Sequence, residues 1–265
     1  MTEPYYKQHW IEIDPERHAA YDQILAFHPA MEPILRPLEL RDGLRVLDVG
    51  SGPGHTTLEL ARRVAPSGKV TGVDINAEFV ARASARAREQ KSNVEFVHSA
   101  FPPLPFPDQS FDRVFCKNVL EYVDSAPDTV AEMARVAAPG GTVVAVDSDW
   151  DMLALDLGPD ASELTERVLA ASKSIAIKEP KIGRRLYGMF RGAGLGEVRA
   201  EVLAGADIAG RSLPMLKSSL ARYARDSGRV SVSEVERWLA SIDQALAGGR
   251  FFFVLPQFIV RGTKP

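Results

Sequence analysis

The residues with the plainest chemical purpose are two carboxylates and a set of glycines. Asp48 ends one apolar run and opens the turn Val49-Gly50-Ser51-Gly52-Pro53-Gly54, and Asp74 ends a second, Val70-Thr71-Gly72-Val73. Glycines this close together are costly unless a backbone must pass near something. A strand that runs through such a turn into a helix offers its carboxyl edge to a nucleotide cofactor. The spacing is not that of a dinucleotide fingerprint: the third glycine comes one position early and His55 stands where that motif wants glycine. Asp48 would also repel a pyrophosphate, whereas it would attract a ligand carrying an ammonium or sulfonium group. Asp74, about twenty residues beyond the glycines, has the position of a carboxylate that accepts both ribose hydroxyls. By itself it could equally cap the helix before Ala77.

The elements that must position these groups follow from short apolar runs and their punctuation. Strands are expected at 44–49, 70–74, 94–97, 111–116 and 142–147, with helices at 54–64, 77–90 and 129–137 between them. This alternation is the pattern of a parallel sheet covered by helices. Pro102-Pro103-Leu104-Pro105 forces an extended loop, and Pro139-Gly140-Gly141 stops the last of these helices. Beyond Trp150, helices are expected at 162–174, 181–191, 213–223 and 232–246, and strands at 197–203 and 251–261, with Phe251-Phe252-Phe253 as sheet core. The expected division is an N-terminal helical cap over 1–42, a Rossmann-like core over 43–150, and a completion of the sheet with an inserted helical lid over 151–265.

Four ordered motifs carry a family resemblance: Val46-Leu47-Asp48-Val49-Gly50-Ser51-Gly52-Pro53-Gly54, Val73-Asp74, Leu104-Pro105-Phe106-Pro107-Asp108-Gln109-Ser110-Phe111-Asp112, and Glu132-Met133-Ala134-Arg135-Val136-Ala137-Ala138-Pro139-Gly140-Gly141. In these the chain resembles class I S-adenosylmethionine-dependent methyltransferases, in the branch that acts on small molecules and quinones. The resemblance implies an α/β, Rossmann-like sheet of seven strands with the last antiparallel, and S-adenosyl-L-methionine as cofactor. It implies that Asp48, Gly50, Ser51, Gly52 and Gly54 face the methionine part, Asp74 the ribose and Ile75 the adenine, with Asn118 and Val119 approaching by backbone atoms. The chain departs from the family in the loop after the third strand, where Ala100 takes the usual acidic position and leaves the Phe101 N–H to read the ring.

Methyl transfer from a sulfonium needs in-line approach at about 3 Å more than it needs a strong base. An acceptor hydroxyl of high pKa would still gain from a nearby carboxylate. Glu121 and Tyr122, beyond the fourth strand, are catalytic candidates or else a helix start and a packed ring. Asp149 is placed to orient or deprotonate the acceptor, with Trp150 beside it as a flat apolar wall. Tyr6 and Trp10 either close over the acceptor or cover the sheet edge. Lys178-Glu179-Pro180-Lys181-Ile182-Gly183-Arg184-Arg185 is a solvated face or a site for an anionic group.

Composition narrows the partners. Hydrophobic residues make up 45% and charged residues 25%, which excludes disorder and fibre as dominant states. With 32 basic and 35 acidic residues, a net charge of -3 provides no general field for nucleic acid. One cysteine forbids an intrachain disulfide, and five scattered histidines form no zinc motif, so no metal is expected. No apolar run nears the roughly 20 residues of a membrane span, and the N-terminus lacks a secretion signal. A cytoplasmic enzyme with a small-molecule acceptor and no stable membrane insertion is the expectation. The alternatives are an isoprenoid-quinone precursor methyltransferase or a protein that binds S-adenosylmethionine without methylating.

Overall fold

The computed structural model describes residues 4–265; Met1, Thr2 and Glu3, at the start of the expected N-terminal cap, lie outside the described residues. Strand β1 (Arg45–Val49) is buried at every position after its first, the pattern of a strand covered on both faces. With β2 (Lys69–Asp74), β3 (Val94–His98), β4 (Phe111–Lys117) and β5 (Ala137–Ser148) it forms the parallel part of a seven-stranded sheet. β6 (Ala154–Asp156) and β8 (Phe252–Val254) pair apart from it. β7 (Gly196–Leu203) and β9 (Gln257–Thr263) complete it in the order β3-β2-β1-β4-β5-β9-β7. β9, the last strand, is antiparallel to both neighbours, as the resemblance implied.

The helices are α1 (Tyr5–Ile11), α2 (Pro15–Ile24), α3 (Glu32–Leu35), α4 (His55–Val64), α5 (Ala77–Glu89), α6 (Ala126–Val136), α7 (Ser162–Ala176), α8 (Ile182–Gly192), α9 (Ala221–Asp226) and α10 (Val232–Ala247). On one face of the sheet, Leu60 and Val64 of α4 and Ile34 of α3 pack with Val46, Phe115 and Val144. On the other, Val130 and Met133 of α6 join Leu186 and Phe190 of α8 against Leu47, Val114 and Val143. Each such side chain, buried fully, contributes about 1.5–3 kcal/mol. A third cluster, with Val168, Leu216, Trp238 and Ile242 among its members, holds the cap made by α7, α9 and α10. The Ser231 side chain and Glu234 close a reciprocal capping box at the start of α10.

The structure corrects three expectations. The run 251–261 is two strands, since Pro256 lacks the N–H a continuous ladder needs. Phe251 and Phe253 consequently belong to the cap cluster, not to the sheet core, and Phe252 is 38% exposed. The helix expected over 213–223 is a wide π-type turn, Met215–Leu220, leading into α9. Pro139-Gly140-Gly141 lies inside β5 at an irregular step of the ladder with β4, rather than ahead of that strand.

Candidate cofactor and acceptor site

The three glycines of the β1–α4 turn all have positive φ, at 74° for Gly50, 51° for Gly52 and 84° for Gly54. Packing adds a further requirement at two of them. A Cβ on Gly50 would stand 2.2 Å from Cγ2 of Val119. One on Gly54 would stand 2.7 Å from Cβ of Ala83 and 2.8 Å from the Phe96 ring, so Gly54 lets α4 approach α5 and β3. Gly52 has no such crowding; its N–H donates to Oδ2 of Asp74 at 2.7 Å. Gly50, Ser51 and Gly52 line a cavity of about 310 Å³ at the carboxyl edge of the sheet, and Gly54 does not. Gly54, which the resemblance set toward the ligand, lies behind this lining against α5 and β3.

Asp48 and Asp74 both line this cavity and both are buried. Oδ2 of Asp48 accepts from Thr57 Oγ1 at 2.7 Å, and burial, with the nearby Asp74 charge, pushes its carboxyl up to about 6. Oδ1 of Asp74 accepts from the Asn76 N–H at 2.8 Å, and burial raises its carboxyl too. Two desolvated carboxylates beside one cavity favour a cationic occupant, which relieves their repulsion. The Oγ of Ser51 is buried with no hydrogen-bond partner among the described residues, a polar atom waiting for a ligand. A cofactor with an ammonium, a sulfonium and a ribose fits this set. Asn76 serves as the N-cap of α5, accepting from Phe79 N at 2.8 Å, so the capping role considered for Asp74 belongs to Asn76.

Ile75, Phe101, Asn118 and Val119 line the same cavity. Ala100 is exposed and does not line the cavity, whereas the next residue, Phe101, does.

The other half of the cavity is aromatic. Trp10, from α1, packs 5.1 Å from Tyr21 of α2 and 5.1 Å from Tyr122, while Tyr223 of α9 sets its hydroxyl 3.5 Å from that of Tyr21. Trp150 lines the same wall and its Nε1 donates to Oε2 of Glu121. Glu121 is 2% exposed, and burial pushes its carboxyl up to about 7. Burial also raises the Tyr122 hydroxyl. The structure brings these three residues and Trp10 together along one wall of the cavity.

Two candidates are not. Asp149 is fully buried, but its oxygens accept from Nε and Nη2 of Arg184 at 2.5 and 2.7 Å, and it does not line the cavity. The bidentate fork holds the carboxylate against Arg184 of α8, outside the cavity lining, which corrects its placement beside the acceptor. Tyr6 also stands outside the lining; its hydroxyl donates to Asp124 at 3.1 Å and its ring lies under Lys178, clamping α1. The basic run 178–185 is tied to acceptors: Lys178 to the Asp124 carbonyl, Lys181 to Asp151, Arg184 to Asp149 and Arg185 to Glu179. A structural role for Asp149 predicts that Asp149→Asn lowers the melting temperature but leaves affinity for S-adenosylhomocysteine within about twofold. A thermal melt and a titration on one preparation check both halves.

Sequence reasoning missed Tyr21, Tyr223 and Lys117. The two tyrosines lie far apart in the chain and carry no local motif. Lys117, at the end of β4, lines the cavity near Asp147, Glu121 and Asp48, and desolvation lowers its pKa. A lysine ending an apolar strand was the one available signal.

Residues 46–141 match the model of a family described as Methyltransferase domain. An uncharacterized 37.1 kDa protein in transposon Tn4556 of Streptomyces fradiae is 31% identical over 231 residues, 86% of this chain and 64% of that protein. The ubiquinone/menaquinone biosynthesis C-methyltransferase UbiE of Hahella chejuensis is 39% identical over 110 residues, 41% of this chain and 44% of that one. The chain therefore spans from under half to just under two thirds of the length of these relatives. Among solved structures, the YcgJ protein of Bacillus subtilis superposes with a TM-score of 0.62 at 22% identity, covering 90% of this chain and 99% of that one. Phosphoethanolamine N-methyltransferase 2 of Haemonchus contortus, solved in complex with S-adenosyl-L-methionine, gives 0.65 at 17% identity, covering 100% of this chain and 60% of that one. By these comparisons residues 46–141 are similar to a methyltransferase domain, and the chain shares the fold of these solved structures. No described helix is long and apolar enough to cross a membrane.

Proposed function

We propose that this chain binds S-adenosylmethionine in the cavity at the carboxyl ends of β1, β2 and β4 and transfers its methyl group to a small organic acceptor. The observation that carries the reading is a single cavity that joins the glycine turn and Asp74 to the aromatic wall of Trp10, Tyr21, Tyr122, Trp150 and Tyr223. When bound, the cofactor supplies a methyl group already activated by a positively charged sulfur. Gly50, Ser51 and Gly52 would hold its methionine part, Asp48 would face its positive charge, and Asp74 would accept from its ribose. The aromatic wall orients a flat acceptor and excludes water. Glu121, poised near neutral pH, would take the proton of an acceptor hydroxyl or amine, with Trp150 Nε1 fixing the carboxylate.

Calorimetry should detect S-adenosylhomocysteine binding well above any binding of NAD. Asp74→Ala should weaken that binding by roughly 1.5–3 kcal/mol, the loss of charge-assisted hydrogen bonds. Unchanged affinity in a folded variant removes Asp74 from the ribose site, and no binding by the unaltered protein removes the whole reading.

A quinone-type acceptor is the second reading, favoured by the names of core relatives in Hahella chejuensis and Staphylococcus aureus, the latter a demethylmenaquinone methyltransferase 34% identical over 120 residues. The mass of the product formed from demethylated quinols or from simple phenols separates the two.

A further inference from the structure

Strand β7 is an edge of the seven-stranded sheet, with β9 on one side and no described strand on the other. Residues 199–203 are exposed in an unbroken run, with Val202 at 53% and Leu203 at 38%. Apolar side chains on a bare edge invite another strand, and proteins normally blunt such edges with bulges, prolines or a covering element. The ladder between β7 and β9 is irregular between Gly196 and Arg199, which leaves the stretch from 199 onward regular and uncovered.

The sequence of this edge is self-complementary. Val198-Arg199-Ala200-Glu201-Val202 reads the same in both directions about Ala200, except that the charge changes sign. We infer that two copies of the chain join through their β7 strands, antiparallel, with the two-fold axis at Ala200. In that register Arg199 of each copy faces Glu201 of the other, and Val198 of each faces Val202 of the other. Alternation puts the valines and Ala200 on one side of the sheet and the charged pairs on the other. Neighbouring registers lose this match: an axis at Arg199 sets Glu197 against Glu201, and an axis at Glu201 sets Arg199 against Leu203.

The charged groups are free to re-pair. Arg199 makes no hydrogen bond or close ion pair among the described residues and acts only at longer range on the Glu39 carboxylate, which Arg261 already holds. Glu201 holds only Arg36, at 3.4 Å, with side chains 60% and 70% exposed respectively. The unpaired N–H and C=O groups of both edges would gain partners across the axis. A second copy is the occupant that carries this complementary stretch, since it carries the same strand in the opposite sense. The joint lies on an outer strand of the sheet, and none of its residues lines the cofactor cavity, so it is independent of the proposed reaction.

Sedimentation equilibrium of the full chain from nanomolar to high micromolar concentration tests the inference. The unaltered chain should dimerise, and Arg199→Glu and Glu201→Arg should each raise the dimer dissociation constant at least about tenfold by setting like charges opposite each other. The double variant carrying both changes should recover most of the dimer, because each pair is reversed rather than removed. Cooperative thermal melts and an unchanged far-ultraviolet circular dichroism spectrum show that the single variants fold. A monomer at every concentration, a dimer indifferent to the single changes, or a double variant as weak as the singles would each overturn the β7 joint.

Discussion

Gly50→Ala is expected to abolish measurable binding of S-adenosylhomocysteine and to lower the melting temperature of the free protein. Two costs combine. The new Cβ would stand 2.2 Å from Cγ2 of Val119, and at φ 74° an L-residue is strained. Overpacking costs typically about 1–3 kcal/mol, and the left-handed backbone adds roughly 1–2 kcal/mol. Relief requires the turn to move away from Val119, and a shift of about 1 Å in a binding turn is enough to cost on the order of 100-fold. Gly52→Ala is the internal control, because its Cβ would meet nothing closer than Leu25 Cδ1 at 3.7 Å. It should bear the backbone strain alone and lose less stability. Combining Gly50→Ala with Val119→Ala should recover part of the lost stability, though Val119 Cβ at 3.3 Å still crowds the site. Equal melting temperatures for the two single glycine variants would show that the Val119 approach has no energetic consequence. Titration calorimetry and thermal melts read the whole set.

Glu121→Gln is expected to separate stability from catalysis in opposite directions. Burial raises the Glu121 carboxyl from its ordinary value of 4.5 to about 7. A carboxyl raised on folding contributes stability that is fully present below the unfolded value and lost as pH rises through the folded one. The unaltered protein should therefore lose stability from this group between about pH 4.5 and 7 relative to the neutral glutamine variant. Above pH 7 the variant should melt higher, by up to roughly 3 kcal/mol in stability, and below pH 4.5 the difference should close. The gain is shared with Asp147, whose carboxyl is also raised by burial and by the Glu121 charge, so Asp147→Asn in the same background should add less than it does alone. If Glu121 takes the acceptor proton, methyl transfer should fall by roughly 10²–10⁴-fold. The rate should also lose an acidic limb centred near pH 7. A variant that melts like the unaltered protein at pH 8 would mean that the buried charge is compensated. Unchanged transfer would confine Glu121 to holding Trp150.

The parts of the site legible in the sequence were those built within one short stretch of chain. The turn from Asp48 to Gly54 and the carboxylate at Asp74 are encoded locally, because a strand, a glycine turn and a helix N-terminus leave a pattern in adjacent residues. Glu121 and Trp150 were legible for a related reason: they follow β4 and β5, and the carboxyl ends of parallel strands define the crevice. Position along a strand does not give the direction of a side chain. Asp149 lies just past β5 as expected, yet α8 brings Arg184 against it from 35 residues away and takes both its oxygens. Gly54 looked like its two neighbours in the turn, but only packing could show that its missing side chain makes room for Ala83 and Phe96.

The sequence by itself determined the class of fold, the run of parallel strands, and the glycine turn and carboxylates at their carboxyl ends. Each depends on backbone conformation, hydrophobic period and charge within a few tens of residues. The aromatic half of the cavity was decided by tertiary structure. Its wall is assembled from Trp10 and Tyr21 near the start of the chain, Tyr122 and Trp150 beyond the central strands, and Tyr223 in the late cap, with the Tyr21 and Tyr223 hydroxyls meeting across 202 positions. Aromatic residues at such separations carry no spacing signal, because burial rewards them for packing against any apolar surface. Their convergence arises when α1, α2 and α9 close over the sheet.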